Sequence, residues 1–105
     1  MQSEQPTLGD VVDALLDETG DIETPTDREY ARAGMVFAAR PGEDVFELRL
    51  GDEIAEAAMR TPDTETSSRG PDWVRFAPPE WDDMAFDRLE AWFRVAWRMA
   101  GSRSR

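Results

Sequence analysis

Hydrophobic residues near the N-terminus recur at the spacing of an α-helix. Leucines and valines stand three and four positions apart between residues 8 and 16, which places them on one helix face. Thr7 followed by Asp10 fits a capping box at the start of this helix. Gly20 is placed to end it, and the residues on either side of Pro25 predict a loop at 24–26.

The middle of the chain changes to the patterns of β-strands. Residues 35–39 form a short apolar run, and residues 45–50 alternate between two faces, one of which is entirely apolar. A turn at 41–44, which contains Pro41 and Gly42, separates the two runs. Together these features predict an antiparallel hairpin.

A short helix is predicted after the hairpin. Asp52 is a suitable N-cap, alanines and other apolar residues recur on one side, and Pro62 stops the helix. Glu56 and Arg60 lie four positions apart on the predicted helix. We therefore expect them to form an ion pair on its surface.

The C-terminal third predicts a loop, a strand and a long helix. Residues 61–72 are polar and predict a loop, although a strand within 61–69 stays open because no apolar pattern marks it. Residues 73–77 predict a third strand. The last helix is expected to begin at 82–83 and to end at Gly101.

The order of these elements predicts the α+β class. We expect an antiparallel β-sheet with the N- and C-terminal helices packed on one face and a short helix between strands. The long helical crossovers that a dinucleotide-binding fold requires do not occur in the pattern. The chain is interpreted as a single domain over residues 1–105, with frayed tails at 1–6 and 101–105.

The composition removes most of the side chains that carry covalent and metal chemistry. The chain has no cysteine, histidine or lysine, and 23 acidic residues against 12 arginines give it a net charge of −11. Cysteine nucleophiles, histidine bases and the usual zinc ligands are therefore excluded, and we expect neither an enzyme nor a cofactor. The acidic surface is also expected to repel nucleic acids and anionic membranes.

The polar face of the predicted sheet is the candidate binding site. Four side chains are expected on the face opposite the apolar positions: Glu47, Arg49, Trp73 and Arg75. A tryptophan flanked by arginines can stack on a ring and hold a carboxylate or phosphate. Arg69 is added as a loop contributor, because the turn that contains it could lie over Trp73 as a flexible lid. In the alternative interpretation, Glu47 pairs with an arginine across the strands and Trp73 shields the sheet.

Four stretches resemble the MmcQ/YjbR family, whose α+β fold is shared with frataxin-like and TfoX N-terminal-like domains. They are 31–38 (ARAGMVFA), 46–53 (FELRLGDE), 70–76 (GPDWVRF) and 96–100 (AWRMA). The resemblance covers residues 28–100 and implies a small α+β domain closed by a C-terminal helix. The family often carries a DNA-binding label, so the resemblance also implies a nucleic-acid-binding or regulatory role, which the net charge of −11 disfavours.

A second alternative is weak binding of a divalent cation by the first helix. Frataxin-like proteins use an acidic helix ridge for iron, and oxygen ligands suit such cations. The acidic residues on the polar side of the predicted helix are Asp10, Asp13, Asp17 and Asp21. Any solvated amphipathic helix has the same spacing, so both interpretations stay open.

The sequence therefore predicts a non-catalytic binding or interaction module of unknown ligand. Its candidate ligand-binding residues are Arg49, Arg69, Trp73 and Arg75, and its expected partner is a protein or a small anionic ligand. No apolar run approaches the ~20 residues needed to cross a bilayer, and no secretory signal is visible. A cytoplasmic location without a membrane partner is expected.

Overall fold

The computed structural model describes residues 7–103 and has the predicted α+β fold. In chain order, the described elements are α1 (Leu8–Thr19), β1 (Glu23–Thr26), β2 (Glu29–Arg32), β3 (Met35–Gly42), β4 (Val45–Arg49), α2 (Asp52–Ala58), β5 (Thr64–Ser67), β6 (Gly70–Phe76) and α3 (Asp83–Arg103). Of the frayed tails predicted at 1–6 and 101–105, residues 1–6 and 104–105 lie outside the described residues.

The strands form one antiparallel sheet in the order β1-β2-β3-β4-β6-β5. The predicted hairpin is confirmed as β3 and β4, and the strand left open within 61–69 is β5. The predicted loop at 24–26 is wrong, because these residues belong to the edge strand β1. An edge strand tolerates Pro25, since the N–H that proline lacks can face away from the neighbouring strand.

The helix α1 begins and ends where the sequence predicts. Thr7 is its N-cap, with the Thr7 side-chain oxygen accepting from the Asp10 backbone N–H at 3.1 Å. The Asp10 carboxylate accepts from the Thr7 backbone N–H at 3.1 Å, which completes the capping box. Gly20 is the C-cap, and its N–H donates to the Leu16 carbonyl.

The hydrophobic core lies between the sheet and the two terminal helices, which pack on one face as predicted. Phe93 of α3 is fully buried at its centre. Its ring makes edge contacts with three aromatic rings at centroid distances of 5.3, 6.3 and 6.2 Å, those of Phe37, Phe46 and Tyr30. Two alanines of α2 join the same core, so the short helix is part of the domain's packing.

The helix α2 differs from its prediction at both ends. Gly51 rather than Asp52 is the N-cap, and no side chain caps the helix. The helix ends at Ala58, so Arg60 lies beyond it and the i,i+4 geometry with Glu56 is lost. The predicted ion pair is wrong, since no described residue lies within ion-pair distance of Glu56.

The helix α3 continues through Gly101, where the sequence predicts its end. The Arg32 guanidinium stacks on the Trp97 ring at 3.7 Å and donates to the Trp97 carbonyl at 2.9 Å. A Cβ on Gly101 would lie 2.5 Å from Arg32 Nη1. The glycine therefore makes room for the arginine from β2 rather than terminating the helix, and the predicted helix end at Gly101 is wrong.

An ion pair joins the two terminal helices on the surface. Arg94 of α3 donates to both carboxylate oxygens of Glu18, with its Nε at 2.7 Å and its Nη2 at 3.0 Å. The Arg94 hydrogen bonds hold the pKa of the Glu18 carboxyl below its ordinary value. The contribution of this pair to stability is therefore present at neutral pH and is lost as the pH falls through the lowered pKa.

We expect Glu18→Gln to lower the melting temperature slightly at neutral pH, because the variant keeps the shape but loses the charge-assisted pair. The difference from the wild-type protein should shrink as the pH falls through the lowered pKa of Glu18. Thermal melts over a pH series measure both effects. Asp17→Asn, one position away on the exposed side of α1, is the control; an equal effect from this variant would contradict the assignment.

Candidate functional site

The predicted site residues of the sheet share one face, as the alternation requires. In the register of β4 and β6, Glu47 lies opposite Arg75, and Arg49 lies opposite Trp73. This face is opposite the one that packs on α1 and α3, where Phe46, Leu48 and Val74 belong to the core. The sheet therefore brings the four side chains together.

Two of the four residues on this face are almost fully buried, as the alternative interpretation, in which Trp73 shields the sheet, expects. Glu47 is 5% exposed and Trp73 is 7% exposed. The turn at 67–70, between β5 and β6, brings its side chains over this part of the face, and both Ser67 and Arg69 contact Glu47. The turn suggested as a flexible lid is therefore held over the face by hydrogen bonds to Glu47.

Arg69 holds this cover in place. Its Nε donates to Glu47 Oε1 at 3.2 Å, its Nη1 donates to Glu29 Oε2 at 3.0 Å, and its guanidinium lies 5.2 Å from the centre of the Trp73 ring. Ser67 Oγ donates to the other Glu47 oxygen at 2.8 Å. The buried carboxylate is thus paired, as the alternative interpretation expects, but its partner comes from the turn rather than from the neighbouring strand.

The turn reaches the sheet because the β5–β6 register shifts near its tip. The regular pairing of Thr66 with Val74 gives way to a pairing of Ser67 with Gly70. Gly70 has φ of 149°, which side-chain-bearing residues rarely adopt, and a Cβ there would lie 3.1 Å from Asp72 Oδ1. The irregular backbone directs the tip of the hairpin over the sheet.

The remaining two arginines differ in their partners. Arg49 Nε donates to Asp72 Oδ2 at 2.6 Å, so its charge is neutralised within the sheet. Arg75 lies between Glu47 on β4 and Glu65 on β5 in the strand register. Among residues 7–103, no carboxylate lies within ion-pair distance of Arg75. An anionic ligand on this face would have to compete with acidic side chains for Arg49 and Arg69.

An open groove lies beside this covered face, between α2 and the β5–β6 hairpin. We refer to it as the α2 groove, and its volume is about 360 Å³. Its lining residues are Asp52, Glu53, Ala55, Glu56, Met59, Thr66, Pro71 and Trp73. The lining combines apolar side chains with three carboxylates of α2. Trp73 therefore connects the predicted face to a site that is accessible from solvent.

The sequence pattern contains one signal for the α2 groove that its interpretation missed. The α2 segment carries three acidic residues and no basic residue over 52–58. Because Glu56 was expected to pair with Arg60, the negative charge of this segment was interpreted as partly neutralised. The register of β5 against β6, which brings Thr66 and Pro71 to the groove, has no counterpart in the hydrophobic pattern.

The described part of the chain does not assemble a metal cluster. No group of three or more acidic side chains positioned to hold a metal ion occurs within residues 7–103, and this includes the acidic side of α1. Among the described helices, none combines the length and the apolar character that crossing a bilayer requires.

The comparisons with known proteins give no match to this chain, whether with family models, with curated proteins or with solved structures. The resemblance to the MmcQ/YjbR family stays a prediction from the sequence. The geometry of the α2 groove and of the face that adjoins it is therefore the basis for a proposed function.

Proposed function

We propose that this protein is a non-catalytic binding module whose site is the α2 groove. The observation that carries the proposal is an open groove of about 360 Å³ beside an almost fully buried tryptophan. Ligand sites in proteins are typically about 300–1,000 Å³ and combine apolar walls with a few polar groups. The α2 groove has this composition, with Met59, Pro71 and Trp73 as apolar elements.

The non-catalytic part of the proposal is supported by the chemistry of the chain. The protein has no cysteine or histidine, and it has no lysine among its basic residues. Glu47, a buried carboxylate near the groove, is engaged by Ser67 and Arg69. A carboxylate held in this way stabilises the fold and is poorly placed to exchange protons with a substrate.

The predicted arginine and tryptophan face has a supporting role in this proposal. Trp73 contributes to the wall of the groove, and the Arg69 and Arg49 ion pairs hold the strand and turn that present it. Rigid presentation of an aromatic side chain reduces the entropy that binding costs. Membership of the MmcQ/YjbR family and a cytoplasmic location accompany this proposal as predictions from the sequence.

Chemical-shift mapping tests the location of the site. The protein is titrated with a mixed pool of metabolites and short peptides. The largest amide shifts are expected in α2, at Thr66 and Trp73, and at the residues on either side of Pro71, which has no amide proton itself. Met59→Ala should weaken the strongest response about 5-fold, because truncating a half-buried methionine removes about 1 kcal/mol of apolar contact.

Met84→Ala is the matched control for this experiment. Met84 is 73% exposed on α3 and does not line the α2 groove, so the same truncation should leave the response unchanged. Shifts that cluster away from the α2 groove, or no shifts with any component of the pool, would overturn the proposed function.

A further inference from the structure

Among the described residues, the carboxylates of the α2 groove have no arginine within ion-pair distance, unlike three acidic groups of the adjoining sheet face. Glu29 and Glu47 pair with Arg69, and Asp72 pairs with Arg49. Asp52, Glu53 and Glu56 are exposed, and no arginine of the described chain lies within ion-pair distance of them. The groove therefore presents three uncompensated negative charges to solvent.

The apolar part of the groove lies beside these charges. Ala55 and Met59 belong to the same helix as the carboxylates, while Pro71 and Trp73 come from the facing strand. A side chain that enters the groove thus meets both apolar surface and negative charge. Arginine and lysine match this combination, because each has an aliphatic stem and a charged head.

We propose that the α2 groove binds an arginine side chain carried by an extended, basic segment of a partner protein. This inference rests on the proposed function and names the class of its ligand. The arginine stem would lie along Met59 and Trp73, and its guanidinium would reach the carboxylates of Glu53 and Glu56. Charge complementarity selects this occupant, because both the groove and the protein as a whole, at −11, attract cations.

Two observations favour arginine over a compact cation. The protein itself packs guanidinium groups against tryptophan rings, as Arg32 does on Trp97 at 3.7 Å and Arg69 does on Trp73 at 5.2 Å. A planar guanidinium stacks on aromatic surface and pairs with carboxylates at the same time. The volume of about 360 Å³ is at the small end of ligand sites, which suits one side chain and its adjoining backbone.

The experiment uses the full chain and a short acetylated and amidated peptide of glycine and serine with two arginines. A matched peptide carries citrulline in place of arginine, which preserves the shape and removes the charge. The arginine peptide should shift the Trp73 indole N–H and the α2 amides, and its affinity should fall as salt rises. The citrulline peptide should bind at least 5-fold more weakly.

Two double variants separate the groove from the general acidity of the protein. Glu53→Gln/Glu56→Gln removes two charges from the groove, and Asp13→Asn/Asp17→Asn removes two exposed charges from α1. The first should weaken the arginine peptide about 5-fold, and the second should weaken it less than about 2-fold. All four side chains are exposed, so both variants should fold, and melting curves check this.

Each outcome decides the inference. Equal weakening by the two double variants, or equal affinity for the citrulline peptide, would overturn it. If the arginine peptide fails to bind while other components of the mixed pool still shift the groove, the inference fails and the proposed function stands. If nothing in the pool shifts the groove, the proposed function fails as well.

Discussion

Replacing Phe93 with alanine is expected to lower the free energy of unfolding by about 3–5 kcal/mol, a large part of the roughly 5–15 kcal/mol that stabilises a typical domain. Phe93 is 0% exposed, and its ring contacts the aromatic rings of Tyr30, Phe37 and Phe46. The truncation removes apolar surface from the core and leaves a cavity between α3 and the sheet. Urea denaturation followed by circular dichroism measures the loss.

Met84→Ala on the same helix is the control for Phe93→Ala. Met84 is 73% exposed, so its truncation should change the free energy of unfolding by less than about 0.5 kcal/mol. A Phe93→Ala variant that unfolds within about 1 kcal/mol of the wild-type protein would contradict the packing of α3 on the sheet.

Replacing Arg69 with alanine is expected to cost about 1–3 kcal/mol, the second-largest effect, because it leaves the buried Glu47 carboxylate without its charged partner. The Glu47 side chain is 7% exposed and keeps only the Ser67 hydroxyl as a donor after this change. The Arg69 side chain is 31% exposed, so solvent moderates the loss relative to a fully buried pair. Urea denaturation again supplies the measurement.

The double variant Glu47→Gln/Arg69→Ala should be more stable than Arg69→Ala alone. Glutamine keeps the size of the side chain and removes the uncompensated charge, so it should recover at least half of the loss. Arg88→Ala is the matched control, since Arg88 lies 5.8 Å from the Trp92 ring and pairs with no carboxylate in the described chain. A further loss of stability on adding Glu47→Gln would contradict the role assigned to Arg69.

The elements that the sequence predicted share a strong local pattern. The helix α1 has an apolar stripe, a capping box and a terminal glycine, and all of these depend on residues within about four positions of one another. The β3–β4 hairpin has two apolar runs with a turn between them. Such patterns indicate the type of each element and which of its sides is buried. The type and order of these elements predict the α+β class.

The elements that the sequence missed are short strands with little or no apolar alternation. All four residues of β1 are exposed, and β5 is a polar run of threonine, glutamate and serine. In β2, the adjacent Tyr30 and Ala31 are both buried, because the β2–β3 register shifts between them. These segments form strands because neighbouring strands offer unpaired backbone groups. The side-chain pattern of a segment does not reveal whether such a neighbour is available.

The sequence predicted which face of the sheet carries the candidate residues, but not how exposed that face is to solvent. Alternation alone places Arg49 and Trp73 on one side of the sheet, and the register confirms it. Whether that side is open depends on Arg69, which reaches Glu29 across 40 positions of sequence. The α2 groove likewise depends on how α2 packs against the β5–β6 hairpin. The hydrophobic pattern did not establish the strand β5 of this hairpin.

The sequence by itself determined which segments have an apolar face to bury, where α1 begins and ends, and the net negative charge of the protein. These are properties of neighbouring residues and of composition. Only the tertiary structure decided that Trp73 is covered, that Glu47 is neutralised by the turn, and that three carboxylates at the α2 groove find no arginine partner among the described residues. The contact between Glu47 and Arg69 and the lining of the α2 groove join residues that are remote in sequence, and only folding brings such residues close together.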